Sequence, residues 1–221
     1  MRTRNLRTRN AAFCAAFVAA AALALTACGS STDDKPVASV SASATSGSAL
    51  PLSPAQPKPN LVLTDTHGQK YDLAKETAGK PVLLYFGYTH CPDVCPLIMS
   101  DIGNAKRKLP KDEQDKLQVV FITTDPDRDT PQRLASWLPG QGQGFIGLTG
   151  SFDAIQAGAK SVGITIEKPV KQPDGSYTVT HSAEVLAFSP KDDKAHYAYT
   201  DSADSATYQR DIPKLIKGED L

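Results

Sequence analysis

Pro81-Val82-Leu83-Leu84-Tyr85-Phe86-Gly87-Tyr88-Thr89-His90-Cys91-Pro92-Asp93-Val94-Cys95-Pro96 changes rhythm halfway along. From Val82 to Gly87 no residue is charged, and nothing alternates. Such a run suits a central strand covered on both faces. Beyond the cysteines a helical period begins, with Leu97, Ile98, Ile102 and Ala105 on one side of residues 94–109. The basic end at Lys106, Arg107 and Lys108 complements the helix dipole. A buried strand running into a helix puts Cys91 and Cys95 at the carboxyl edge of a sheet, where open α/β folds place their ligand sites. Pro92 and Pro96 cost little there, because amides of a first helical turn have no partner within the helix. Those free amides and the positive helix end favour thiolate over thiol. If the whole stretch is helical, the i to i+4 spacing leaves the two Cβ atoms about 5–6 Å apart. Both sulfurs can then reach one metal ion through bonds of ~2.3 Å, the length of zinc thiolates.

Outward from this segment the chain alternates. Residues 117–124 and 185–188 repeat the apolar run, and Leu61-Val62-Leu63-Thr64 reads as a shorter strand returning through Tyr71-Asp72-Leu73. Thr130-Pro131 is a helix start signal, a cap followed by proline at the first helical position. Residues 151–162 form a further helix stopped by Gly163, and residues 204–217 a last one weakened by Pro213. Gln172-Pro173-Asp174-Gly175 marks a hairpin turn between residues 164–170 and 177–180. Strands alternating with helices, then a hairpin and a closing helix, predict an α/β sandwich: a mixed central sheet flanked by helices with an inserted β-hairpin. The order agrees with a thioredoxin-like core.

The ends of the chain read differently. Arg2, Arg4, Arg7 and Arg9 precede an unbroken apolar run over residues 11–25, which closes on Leu25-Thr26-Ala27-Cys28-Gly29. A basic start and a short apolar stretch describe a secretory signal. Its end resembles the lipobox of bacterial lipoproteins, which implies cleavage before Cys28 and lipid attachment to it. Residues 1–27 are thus expected to be a signal peptide. Residues 28–58, mostly Ser, Ala, Pro, Thr and Gly, are expected to be a flexible tether, and residues 59–221 the folded domain. Removing residues 1–27 leaves 20 basic against 24 acidic residues, a net charge of −4. With no basic stripe, a nucleic-acid partner is not expected. The expected place is outside the cytoplasm, lipid-anchored to the outer face of the cell membrane.

Cys91 and Cys95 are the only cysteines of the body, so they are not part of a disulfide framework. Two small buried residues are one reading, but idle neighbouring thiols in an oxidising compartment would be oxidised or replaced. A redox dithiol is the stronger rival, although three residues separate the pair where thioredoxin-type enzymes have two.

At this point the chain resembles the Sco/SenC family of copper-binding, thioredoxin-like proteins that help metallate cytochrome c oxidase. The resemblance rests on Cys91-Pro92-Asp93-Val94-Cys95-Pro96 after Tyr88, on Thr124-Asp125-Pro126-Asp127-Arg128-Asp129-Thr130-Pro131, and on His181 in Thr178-Val179-Thr180-His181-Ser182. It implies a metal site of Cys91, Cys95 and His181, holding copper as Cu(I), Cu(II) or both. It also implies a copper acceptor such as cytochrome c oxidase subunit II, and membrane attachment through the lipid. Two thiolates favour Cu(I), and an imidazole keeps Cu(II) accessible; the donor set alone does not exclude zinc. No proline occurs between Ser176 and Phe188, where thioredoxin-type oxidoreductases carry a cis-proline opposite the dithiol, so the comparison leans toward metal. A thiol–disulfide reductase acting through the redox pair Cys91 and Cys95 stays open as the alternative. Peroxide chemistry, with Arg128 activating a cysteine, is a weaker third. His67, His90 and His196 are expected to lie outside the core site. The 125–131 segment is expected to form a strand end, a turn and a helix start, with Arg128 pairing locally with Asp127 and Asp129 and a secondary role in docking a partner or ordering the metal loop.

Overall fold

A computed structural model describes residues 39–40, 47–173 and 177–221. Residues 1–38, and with them the signal peptide and Cys28, lie outside the described residues. Among the described residues no helix is long and apolar enough to cross a membrane.

The elements in chain order begin with strands β1 (Ser39–Val40), β2 (Leu50–Pro57), β3 (Val62–Asp65) and β4 (Lys70–Asp72) and the short helix α1 (Leu73–Glu76). Strand β5 (Val82–Gly87), helices α2 (Val94–Arg107) and α3 (Lys111–Lys116), and strand β6 (Gln118–Thr123) follow. Then come α4 (Pro131–Trp137), β7 (Ile146–Thr149), α5 (Phe152–Ser161) and the hairpin strands β8 (Val170–Lys171) and β9 (Tyr177–Thr178). Strands β10 (Val185–Phe188) and β11 (Lys194–Tyr199) and helix α6 (Ser205–Lys217) close the fold. The main sheet runs β1-β2-β11-β10-β5-β6-β7-β3-β4, and β8 and β9 pair apart from it. β5, β6 and β7 are parallel, while β10 returns antiparallel on the other side of β5. This is the predicted thioredoxin-like sandwich with a mixed sheet.

The strands without alternation are buried on both faces. Leu83 and Tyr85 of β5 and Val119 and Phe121 of β6 meet Cys95, Ile98, Met99 and Ile102 of α2 and Tyr208 and Ile212 of α6. Their neighbours Leu84, Phe86, Val120 and Ile122 face the other way, onto Ile155 and Ala159 of α5. Each such large side chain contributes about 1.5–3 kcal/mol on burial. The predicted Thr130 cap forms, accepting from the Arg133 amide, and Ser151 caps α5 in the same way by accepting from the Ala154 amide. Pro213 does not end α6, which continues to Lys217 because Tyr208, Ile212 and Leu215 bury its inner face.

Two expectations need correction. The tether was expected to reach residue 58, yet Leu50–Pro57 forms an eight-residue strand paired antiparallel with β11. Its three prolines imitate a linker, but among the described residues only the two-residue β1 pairs with its outer side, so the missing N–H groups are tolerated there. The second correction concerns the cysteines: α2 starts at Val94, so Cys91 precedes the helix and only Cys95 lies on it.

Candidate metal site

The parallel register of β5 and β6 ends with Gly87 opposite Thr123, and the Thr124 amide donates to the Gly87 carbonyl at 2.7 Å. The cysteine loop and the 125–130 loop therefore leave the sheet side by side. Asp129, fully buried, joins them. Its carboxylate accepts from the Thr89 amide at 2.8 Å, the Thr89 hydroxyl at 2.6 Å and the Thr123 hydroxyl at 2.7 Å. Arg133 adds a bond from Nε to the Thr89 hydroxyl at 2.8 Å.

Asp93, the residue before α2, makes no side-chain cap. The sulfur of Cys91 takes that place, accepting from the Cys95 amide at 3.3 Å. Cys91 is half-buried and Cys95 fully buried, both as free thiols. The Cys95 thiol donates to the Cys91 sulfur, and with the amides of Cys95 and Asp93 this outweighs burial and holds Cys91 down at about 5. As the donor in that bond, and buried besides, Cys95 is pushed well above the usual thiol range. The dithiol therefore carries one proton near neutral pH.

His181 arrives from the far side of the fold. It forms an isolated antiparallel bridge with Ile166 at the base of the β8–β9 hairpin. Its Nδ1 lies 2.8 Å from the Ser182 carbonyl, which can only accept, so Nδ1 carries a proton. Nε2 stands 3.7 Å from the Cys95 sulfur. Two donors sharing one trigonal ion, through bonds of ~2.3 Å to sulfur and ~2.0 Å to nitrogen, are separated by about 3.7 Å. The spacing matches. Among the described residues no group of three His, Cys, Asp or Glu side chains stands close enough together to hold a metal ion as it is. Cys95 is the residue that touches both of the others, the Cys91 sulfur on one side and His181 Nε2 on the other.

Two tyrosines missed in the sequence frame the donors. The Tyr85 hydroxyl donates to the Cys95 sulfur at 3.3 Å, and its ring meets the His181 ring edge-on at 6.2 Å. Tyr88 packs edge-on against His181 at 5.6 Å and hydrogen-bonds Cys91; its phenol is pushed up to about 12, by burial first and then by the Cys91 charge. A tyrosine inside an apolar buried strand signals a hydroxyl that must find a partner, and that signal was available. Gly87 makes room for all of this: a Cβ there would lie 2.7 Å from the Tyr85 ring and 3.1 Å from the Cys95 sulfur.

The other histidines stand apart. His196 pairs with Asp192 at 2.9 Å, His67 sits in an exposed turn, and His90 turns to the Thr89 hydroxyl at 3.2 Å and to Asp129 at 3.4 Å. Arg128 pairs with Asp125 and lies over the Tyr177 ring.

Residues 52–217 match the model of the SCO1/SenC family. A protein of Stutzerimonas stutzeri, provisionally named as copper-binding, is 34% identical over 162 residues, covering 73% of this chain and 78% of that protein. Mitochondrial SCO proteins also match but are longer; the chain spans 46% of one from Danio rerio and 35% of one from Arabidopsis thaliana. Among solved structures, copper-bound ScoI of Bradyrhizobium japonicum superposes with a TM-score of 0.63 at 30% identity, over 73% of this chain and 99% of that one. Copper-bound yeast Sco1 gives 0.66 at 29% identity, over 76% and 91%. The family model thus runs from the second strand to the last helix, across the dithiol loop and the returning histidine: the chain belongs to the SCO1/SenC family.

Proposed function

We propose that the chain binds one copper ion through Cys91, Cys95 and His181 and passes it to a copper acceptor, the dinuclear copper centre of cytochrome c oxidase subunit II being the acceptor the family resemblance favours. The observation that carries this reading is the 3.7 Å approach of His181 Nε2 to the Cys95 sulfur, with Nδ1 committed to a carbonyl. That commitment leaves the Nε2 lone pair free to bind, the usual arrangement of a metal-ligating histidine. Copper is the cargo. Soft sulfur donors select Cu(I) over hard cations, and the imidazole accommodates Cu(II). The copper-bound relatives support the choice over zinc. With Cys91 half-exposed, an incoming thiolate can join the ion before a resident one leaves, so transfer needs no free copper. The signal at residues 1–27 and the lipobox ending in Cys28 support a position outside the cytoplasm, anchored to the outer face of the membrane.

Anaerobic copper titration of the reduced protein tests the site. A strong thiolate-to-Cu(II) charge-transfer band saturating at one equivalent is expected. Its absence from a folded, fully reduced sample would overturn the assignment.

One observation favours a second reading, a reductase that keeps the acceptor's copper-site cysteines reduced. The half-exposed, low-pKa Cys91 beside a buried, protonated Cys95 is the asymmetry of an attacking and a resolving thiol. The Cys91 thiolate would attack a disulfide, and Cys95 would lose its proton and displace the mixed disulfide, transferring two electrons. His181→Ala separates the readings. Lost copper retention with unchanged disulfide reduction identifies a metal carrier, and the reverse identifies a reductase.

A further inference from the structure

His90 precedes Cys91 on the loop that carries the dithiol, outside the three-residue site, and hydrogen bonds fix its tautomer. Nδ1 lies 3.2 Å from the Thr89 hydroxyl and 3.4 Å from Asp129 Oδ1. The hydroxyl has one proton, and it is donated to Asp129 Oδ1 at 2.6 Å. Toward the ring both oxygens can therefore only accept, so Nδ1 is the donor. In the neutral ring Nε2 then keeps its lone pair. Asp129 is wholly buried while the His90 side chain is 40% exposed, so solvent reaches the ring edge turned from the carboxylate, where Nε2 lies. Among the described residues no hydrogen bond engages Nε2. His181 has the same tautomer. One imidazole so prepared touches the buried Cys95, and a second is next in the chain to the half-buried Cys91.

We propose that His90 Nε2 and the Cys91 sulfur form a landing site for Cu(I), occupied on the way into and out of the three-residue site. This rests on the copper-site reading above and extends it to the route the ion takes. Consecutive residues have Cα atoms about 3.8 Å apart, so an ion arriving from solvent meets these two donors before it meets the fully buried Cys95. Thiolate and imidazole both suit copper. The ion arrives bound to a small thiol. His90 and Cys91 each donate an electron pair to it, and the carrier's thiolate leaves with its own pair. The bond to His90 breaks once Cys95 and His181 have closed on the ion, and the departing thiolate takes up the proton that Cys95 gives away. Copper stays Cu(I), and nothing is oxidised or reduced. Release to an acceptor thiol runs through the same steps backwards.

A ligand used only in passage lowers the barrier in both directions and leaves the end states alone. Stopped-flow loading from the Cu(I)–glutathione complex, and release to a competing Cu(I) chelator, test this in the full chain. His90→Asn is the decisive variant: its amide nitrogen replaces Nδ1 as donor to Thr89 and Asp129, and only the Nε2 lone pair is lost. Loading and release are both expected to slow roughly three- to tenfold, by one shared factor that cancels in the dissociation constant. His196→Asn, at an imidazole paired with Asp192, should keep the original rates. Unslowed transfer in His90→Asn would overturn the landing site. So would a shifted dissociation constant carried by one rate alone, the mark of a ring that only props the loop. The inner site is judged separately, because a wild-type chain that fails to saturate at one equivalent refutes binding through all three residues. Cys95→Ser combined with His181→Ala leaves Cys91 and His90 as the donors. Given Cu(I) as its acetonitrile complex, this chain should hold the ion roughly threefold or more tightly than the same chain carrying His90→Asn. Equal affinity refutes the landing pair, whatever becomes of the inner site.

Discussion

Cys91 has two jobs that pull in one direction. Its sulfur caps the first turn of α2 and accepts a hydrogen bond from the Cys95 thiol, and both contacts are stronger to a thiolate than to a thiol. Its folded value of about 5 lies below the ordinary thiol value of 9.0. Between those limits the unfolded chain binds more protons at this position than the folded chain, so stability rises with pH across the window. The contribution is fully present above 9 and disappears as pH falls through about 5. Cys95 acts oppositely: its raised value gives a contribution complete below 9.0 and lost above it. Chemical denaturation of the reduced, metal-free protein should show the rise from pH 5 to 9, and Cys91→Ser should flatten it. An unchanged slope in that variant would mean the sulfur is not held as a thiolate. Beside it, Gly87→Ala forces a methyl against the Tyr85 ring and the Cys95 sulfur. Such overpacking costs about 1–3 kcal/mol, measurable by urea denaturation, and should also weaken copper uptake.

At the scale of elements, two parallel strand ends are stapled by one carboxylate. Asp129→Ala strands the Thr89 amide and hydroxyl and the Thr123 hydroxyl, all buried. Hydrogen bonds to a charged group contribute about 1.5–3 kcal/mol each, so the variant should lose roughly 3 kcal/mol or more in a urea titration; a loss below 1 kcal/mol would contradict the staple. Asp129→Asn, which keeps an acceptor, should lose less. None of this was visible in Asp127-Arg128-Asp129, which reads as a local ion-pair cluster until β6 is set beside β5. The strands β5, β6 and β10 were legible because every position in them but Gln118 is buried. β7 was not, since Gly147 interrupts its short run, nor was β11, where Ala195 and Ala198 alternate with Lys194, His196 and Tyr197. The cysteines announced themselves through their place between strand and helix. His181 came from the family resemblance, because no periodicity tells one loop histidine from another.

The molecule as a whole begins earlier than its composition suggests. β2 pairs with β11 and buries Gln56, and the Thr207 hydroxyl of α6 donates to the Gly47 carbonyl at 2.6 Å. A chain starting at residue 59 leaves the outer side of β11 unpaired, an invitation to aggregate, and forfeits several backbone hydrogen bonds of about 1 kcal/mol each. Thermal melts and gel filtration should find it less stable and prone to association, whereas a chain starting at residue 47 should behave as a monodisperse domain. Equal melting temperatures would show that β2 contributes nothing.

The sulfur of Cys95 and the imidazole it meets are 86 positions apart along the chain. The dithiol is assembled by one loop and one helical turn, but His181 reaches it only after β6, β7, α5 and the hairpin have been threaded between. Closing so long a loop is an entropic cost met late in folding. On the proposed copper site, a nascent or unfolded chain would offer at most its two sulfurs, and binding through all three residues would report that the fold between them has formed.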